Sequence, residues 1–442
     1  MNLHALLQAR REACRPVRVG LIGAGKFGSM FLAQVPTTPG LEVAVIADLS
    51  PDRARAALKA VGWDDASADR VALLDDGAAL AARDDLEVVI EATGNPAAGI
   101  AHARAAHAAG KHVVMVNVEA DVLAGPLLHA EATAAGVVHA MAYGDQPALT
   151  AELVDWARAT GFRVTAAGKG TRYQPAYHAL TPETVWQHYG LTAEEAAAAG
   201  MNPQMFTSFM DGTKSAIEMA AIANACDLAA PAEGLAFPPC GVDDLAHVLR
   251  PRAVGGVLER AGQVEVVASD ERDGRPVFRD LRWGVYVVVE APSDYAAACF
   301  RQYGLRTDAT GRYAALYRPC HLIGLELGIS VLSAALRGEA TGSARAFSAD
   351  VMATAKRDLA AGEVLDGEGG TCVWGRLAPA TASLSRGALP IGLAHGVPLT
   401  RAVSAGGVLT WDDVAIDEAA PAVRARREME RRFGPARQAS PA

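Results

Sequence analysis

The sequence predicts an α/β fold. Short apolar runs rich in Val, Ile and Leu alternate with alanine-rich segments, a glycine-rich turn follows the first run, and an acidic residue closes the second. Residues 17–23, 41–48, 86–91, 112–117 and 137–141 read as strands, and 52–61, 97–109 and 127–135 as the helices between them. This alternation predicts a parallel sheet, because each helix carries the chain back before the next strand begins.

The first strand runs into Gly23-Ala24-Gly25-Lys26-Phe27-Gly28, a GxGxxG that opens a helical segment, and Asp48 ends the next strand twenty residues later. Strand, glycine turn, helix and acidic residue together make the dinucleotide fingerprint specific, where the glycines alone are weak. Gly23 permits the tight turn, Gly25 lets the backbone approach a pyrophosphate, and Gly28 lets helix and strand pack closely. Residues 1–145 therefore read as an NAD(P)-binding Rossmann domain. Asp48 suits the ribose hydroxyls of NAD(H), whereas Arg53 and Arg55 suit the 2′-phosphate of NADP(H). Thr93 and Gly94, in the loop after the strand at 86–91, and Asn117, followed by Glu119 after the next strand, lie where ligands of open sheets bind; ordinary turn chemistry accounts for them equally well.

From 146 to 345 the pattern becomes that of an α+β substrate and dimerisation domain. It reads as a helix at 147–160, a glycine- and lysine-containing turn at 166–175, a helix at 207–226, strands at 263–268 and 284–290, and a helix at 320–336. Residues 346–420 form a small β-rich module, and 421–442 a charged tail, either a solvated helix or disordered.

Hydride transfer needs a polar group that stabilises charge and moves a proton. The six lysines, at 26, 59, 111, 169, 214 and 356, are outnumbered by arginine, so a lysine in a glycine-flanked or apolar setting is informative. Asp211, Lys214 and Glu218, spaced for one face of a helix, are catalytic candidates, with Asn224 two turns on. Lys169, between two glycines, is a fourth. A solvated salt-bridge ladder is the plain alternative. Asp145, Gln146, Arg172, Arg318 and His321 are candidate substrate contacts.

A net charge of −9 and the absence of a basic stripe with aromatics argue against a nucleic-acid partner. Six scattered cysteines without a CxxC fit a reduced, cytoplasmic protein, and no apolar run is long enough for a membrane span. No ligand spacing calls for a metal; a divalent ion is left open, since Asp145, Glu152, Asp211 and Glu218 can gather one.

VRVGLIGAGKFGSMFLAQVPTTPGLEV, the GDQP segment, FMDGTKSAIEMAAIANA and YRPCHLIGLE together resemble the homoserine-dehydrogenase-related oxidoreductases. More narrowly, they resemble the DXR-like proteins, a second class of 1-deoxy-D-xylulose 5-phosphate reductoisomerase, and the final module resembles a SAF domain. The resemblance implies an NADPH-dependent conversion of 1-deoxy-D-xylulose 5-phosphate to 2-C-methyl-D-erythritol 4-phosphate in isoprenoid precursor synthesis. It implies a phosphorylated sugar, with Lys169, Arg172, Lys214, Arg318 and His321 supplying its cationic pocket and an acid/base pair, Asp211 and Lys214 in substrate binding and proton transfer, NADP(H) favoured with NAD(H) left open, and a homodimer. The alternatives are a homoserine-dehydrogenase-like enzyme acting on another small polyol or sugar acid, and a non-catalytic dinucleotide sensor.

Overall fold

A computed structural model describes residues 2–434, and the chain forms two compact units within them. The first takes the described residues up to Glu152 together with His321–Arg345 and Arg424–Met429. Its strands are β1 (Val17–Ile22), β2 (Leu41–Ala47), β3 (Ala72–Leu74), β4 (Val88–Glu91), β5 (His112–Met115) and β6 (His139–Met141). They form one parallel sheet in the order β3-β2-β1-β4-β5-β6. The order reverses between β1 and β4, which places a ligand crevice at their carboxyl ends. Val19, Leu21, Val45, Val89 and Ile90 are fully buried, as strands covered on both faces require.

The helices start where local chemistry directs. Ser50-Pro51 and Asn95-Pro96 open the helices Pro51–Ala60 and Pro96–Ala108, each with a capping side chain and a proline in the first turn. The Val118–Ala134 helix begins nine residues before the predicted start at 127, because Asn117 caps it and the helix continues through Pro126. β3 escapes the sequence pattern because a three-residue edge strand is too short to form an apolar run. The final helix, Pro421–Phe433, corrects the expectation of a solvated tail: Val423, Ala425, Arg426 and Met429 are buried. The part of that tail beyond 434 lies outside the described residues.

The second unit takes Leu153–Cys320, Ala346–Val423 and the described residues from Glu430 on. Its mixed sheet, β10-β9-β7-β8, contains β7 (Arg163–Thr171), β8 (Gln263–Ala268), β9 (Val285–Glu290) and β10 (Tyr313–Arg318). β7 and β8 are parallel; β9 is antiparallel to β7 and to β10. Toward the C-terminus, β11 (Ala349–Ala355) pairs antiparallel with β13 (Val373–Pro379), and β12 (Val364–Asp366) with β14 (His395–Pro398). The Thr213–Cys226 helix packs against β7 and β8 and against β11 and β13, and twelve of its residues are buried. A helix apolar nearly all round belongs inside.

Three sequence expectations are corrected here. The helix expected at 207–226 is two, Pro203–Met210 and Thr213–Cys226, broken at Gly212, whose φ of +91° favours glycine. Asp211 therefore sits in the break and does not share a helical face with Lys214 and Glu218. The glycine- and lysine-containing turn is the far half of β7. A Cβ on Gly168 would lie 1.9 Å from the Glu265 carbonyl oxygen, and one on Gly170 2.0 Å from that of Leu281. These glycines serve close backbone approach, not a turn. The helix expected from 320 starts at Gly328, so His321 and Glu326 precede it.

Glu265, wholly buried in β8, accepts backbone N–H bonds from Val266, Ala236 and Phe237 at 2.9, 3.1 and 3.3 Å. Burial pushes its carboxyl from 4.5 up to about 7. The unfolded chain releases this proton at lower pH than the folded one, so the stability linked to it is full below the unfolded value and is lost as pH rises through the folded one. The loss is about 3 kcal/mol, at roughly 1.4 kcal/mol per pK unit. Glu265→Gln removes this dependence. Urea unfolding should show the wild type losing about that much relative to the variant between acidic and mildly alkaline pH; a constant difference contradicts the assignment.

Candidate functional site

In the first unit, β1 delivers the glycine loop to the crevice. Gly23 has φ +96°, and a Cβ there would meet the Ala92 carbonyl oxygen at 2.7 Å. A Cβ on Gly28 would lie 2.5 Å from the Gly23 carbonyl oxygen, so this glycine lets the Lys26–Gln34 helix meet the loop. Gly25 differs: a Cβ there meets nothing within 4 Å, leaving the approach to the helix N-terminus open. That opening suits a pyrophosphate, whose charge the helix terminus favours. Lys26 and Phe27 form the first helical turn, with Lys26 exposed.

Asp48 follows β2. Its Oδ2 accepts from the Ala24 N–H at 2.9 Å, and its Oδ1 from the Ser50 N–H at 3.0 Å and from Arg53 at 2.6 Å. Burial raises the carboxyl's pKa, but the two backbone bonds and the Arg53 guanidinium outweigh it and hold the carboxyl below its ordinary range. Arg53 itself is 61% exposed, against 1% for the Asp48 side chain.

The loop after β4 is organised by Glu91, fully buried and not singled out by the sequence. Its Oε1 accepts from the Thr93 hydroxyl at 2.5 Å and faces His102 Nδ1 at 3.3 Å. Asn117 donates to the Asn95 carbonyl at 2.8 Å and accepts from the Ala120 N–H at 3.1 Å. Thr93 and Asn117 thus shape the loop, and Gly94 turns it at φ +70°. A charged residue ending the apolar run VVIE was the available signal for Glu91. Beyond β6, Asp145 Oδ1 accepts from the Gln146 N–H at 2.9 Å. Tyr143 donates its hydroxyl proton to Glu152 at 2.5 Å.

In the second unit the structure brings together Lys169 and Glu218, two of the four catalytic candidates. They form an ion pair in which the side chains are 7% and 5% exposed. Asp211 instead pairs with Lys356 at 2.8 Å, and its Oδ1 accepts from the Thr213 N–H at 2.8 Å. Burial pushes the Asp211 carboxyl above its usual range, and the Lys356 ammonium opposes that. Lys356 also donates to the carbonyls of Leu180 and Gly370 at 2.6 and 2.7 Å. The sequence offered it as one of few lysines, ending an apolar run, but nothing in the spacing joins 356 to 211.

His178 lies beside this cluster. Its Nδ1 donates to the Asp211 carbonyl at 2.7 Å, which leaves Nε2 to accept from the Tyr173 hydroxyl at 2.9 Å. The ring stacks on Trp374 with centroids 3.9 Å apart, and burial lowers its pKa, favouring the neutral form. Two other candidates are committed to structure. Arg172 pairs with Asp270 at 3.0 Å and donates to the His188 carbonyl at 2.6 Å. The Asn224 amide bonds the backbone of Ser348 and Ala349 at 2.9–3.1 Å. Lys214 is half-buried in the first turn of its helix, Arg318 ends β10, and His321 belongs to the first unit. Among the described residues, no group of three or more His, Cys, Asp or Glu side chains is placed to hold a metal ion, and no helix is long and apolar enough to cross a membrane.

Comparison with known proteins defines the class. Residues 17–115 match the oxidoreductase family with an NAD-binding Rossmann fold, 144–327 the catalytic domain of oxidoreductase DRL, and 351–415 the SAF domain. The chain is an oxidoreductase enzyme with an NAD(P)-binding Rossmann domain, a mixed-sheet domain and a SAF domain. No curated protein matches it. Similar solved structures include myo-inositol dehydrogenase from Lactobacillus casei in complex with NAD(H) and myo-inositol, at 17% identity over 38% of this chain and 50% of that one, TM-score 0.29. Another is the 3-ketoreductase KijD10 from Actinomadura kijaniata with NADP and TDP-benzene, at 22% identity over 36% and 48%, TM-score 0.27. A third is a myo-inositol dehydrogenase from Corynebacterium glutamicum, at 16% identity over 37% and 49%, TM-score 0.28. The chain spans about half the length of these structures.

These families correct the resemblance drawn from the sequence. The Rossmann and DRL matches support neither the homoserine-dehydrogenase relationship nor the deoxyxylulose-phosphate reductoisomerase, and the isoprenoid role falls with them. The non-catalytic sensor gives way to an enzyme. A GxGxxG is common to dinucleotide-binding folds of many activities, and a shared fold does not fix the substrate. The FMDGTK segment does not supply an Asp–Lys pair of its own, since Asp211 is matched by Lys356.

Two outcomes follow. Gly25→Val should leave the melting temperature unchanged, because its Cβ enters open space, and weaken NADPH binding at least tenfold in a fluorescence titration; unchanged affinity contradicts the open cradle. Lys356→Met should cost about 3–5 kcal/mol in chemical denaturation, because it leaves Asp211 buried without a counter-charge.

Proposed function

We propose that the enzyme interconverts a secondary alcohol and its ketone on a small, hydroxylated, anionic substrate, with Lys169 as the proton carrier. The buried Lys169–Glu218 pair supports this reading above all. A lysine within a sheet strand, enclosed with its own carboxylate, is costly to maintain for structure alone. Bound NAD(P) supplies or accepts the hydride at carbon. The oxygen on that carbon must then gain or lose a proton. In reduction the Lys169 ammonium donates a hydrogen bond to the carbonyl oxygen and then its proton to the alkoxide; in oxidation the neutral amine takes the hydroxyl proton. Glu218 fixes where the nitrogen sits. Lys214, one turn before Glu218, and Arg318 at the end of β10 are assigned to the anionic group of the substrate.

We also infer a preference for NADP(H). The oxygens of Asp48 already accept three hydrogen bonds, which leaves them poor acceptors for ribose hydroxyls, whereas the exposed Arg53 guanidinium suits a 2′-phosphate.

A panel of hydroxylated acids and sugar phosphates, assayed with both cofactors, identifies the substrate. Lys169→Met should then lower kcat by about 10²–10⁴-fold while leaving NADPH affinity unchanged. A variant that keeps its turnover refutes the assignment. Arg53→Ala should weaken NADPH about tenfold or more and leave NADH nearly unaffected; equal losses for both cofactors contradict the preference.

A further inference from the structure

The geometry points to a second anion site in the second unit, at the end of β7 away from Lys169, built to take a small phosphate ester. A cavity of about 410 Å³ opens among Arg158, Phe162, Arg163, Asp227, Leu228 and Arg260. Arg158 lies in the last turn of the Gln146–Ala159 helix, Arg163 opens β7, and Arg260 sits in the loop before β8. Arg163 and Lys169 are six residues apart on one strand, which at about 3.3 Å per residue separates them by roughly 20 Å.

None of the three guanidiniums is engaged by a carboxylate, although Glu290 stands opposite Arg163 in the β7–β9 ladder. Among the described residues, none of them forms an ion pair or donates a side-chain hydrogen bond, whereas Arg172 and Arg250 of the same unit pair with Asp270 and Asp308 at 3.0 and 2.8 Å. The one carboxylate in the cavity wall, Asp227, caps the Thr213–Cys226 helix in a left-handed conformation at φ +49°. Three positive charges less one negative leave the wall at +2, which matches the charge of about −1.5 to −2 on a phosphate monoester at neutral pH.

A plainer origin covers one arginine of the three. A cation in the last helical turn is favoured by the helix dipole, which accounts for Arg158. It does not account for Arg163 on a strand or Arg260 in a loop. Like charges gathered around a concavity raise the local concentration of anions, and guanidiniums bind phosphate through paired hydrogen bonds.

The rest of the wall indicates an ester and not the bare ion. Phe162 offers apolar surface, and its ring is held between Trp156 and Phe300 at centroid distances of 5.7 and 5.3 Å. The volume corresponds to about fourteen waters at roughly 30 Å³ each, room for a phosphate and a small organic group.

Calorimetric titration of the full chain with glycerol 3-phosphate and with inorganic phosphate tests this, with chloride at equal ionic strength as the control. Saturable binding, tighter for the ester, is expected, and Arg163→Gln with Arg260→Gln should weaken it tenfold or more. Both side chains are exposed, so the melting temperature without ligand should not change. Gly25→Val and Lys169→Met, which alter the cofactor cradle and the proton carrier, should leave this binding intact once circular dichroism shows each variant folded, since Lys169→Met strips buried Glu218 of its counter-charge. No binding to wild type, binding that survives loss of both arginines, or binding that disappears in either of the other variants overturns the proposal.

Discussion

A charged side chain removed from water costs several kilocalories per mole unless an opposite charge meets it in good geometry. The Thr213–Cys226 helix is enclosed on nearly all its faces and still carries Glu218, with Asp211 just before it. Lys169 reaches Glu218 from β7, and Lys356 reaches Asp211 from the end of β11. Each lysine is thus a distance constraint between the helix and a separate sheet. The glycines at 168 and 170 belong to the same arrangement, because they let neighbouring backbone close on the strand that carries Lys169.

Other polar contacts on this helix reinforce the constraint. Thr213 accepts the Gly375 N–H at 2.8 Å, which ties the first helical turn to β13. Asn224, near the other end, bonds the backbone where β11 begins. The SAF strands are therefore registered on the helix at both its ends. That gives the SAF region a structural part in holding the polar cluster: Lys356, which neutralises Asp211, and Trp374, which covers His178, both come from it.

The first unit solves a different problem. Its crevice must present backbone N–H groups and stay open, so its polar side chains are spent on shaping loops. Asp48 braces the glycine loop through Ala24 while meeting Arg53, and Glu91 and Asn117 hold the loop after β4. Every one of these side chains bonds to residues within its own unit, as a rigid cradle requires.

The sequence by itself determined the Rossmann half: the parallel sheet, the glycine loop, Asp48 and the cofactor class. Those features are local. A strand, a turn, a helix start and a capping Asn or Ser each depend on residues a few positions apart, so periodicity and spacing carry them. It also marked Lys169 and Glu218 as candidates, through a rare lysine between glycines and a carboxylate in an apolar helix. Only the tertiary structure decided that these two meet, since 49 positions separate them in the chain. It also decided that Asp211 leaves the helix and belongs to Lys356, and that the GKG segment is a strand and not a turn. In each case the deciding partner is distant in sequence: a Glu265 or Leu281 carbonyl oxygen against a glycine, or a lysine 145 residues away against an aspartate. Burial of charge is settled by what the fold brings alongside, and local pattern does not encode it.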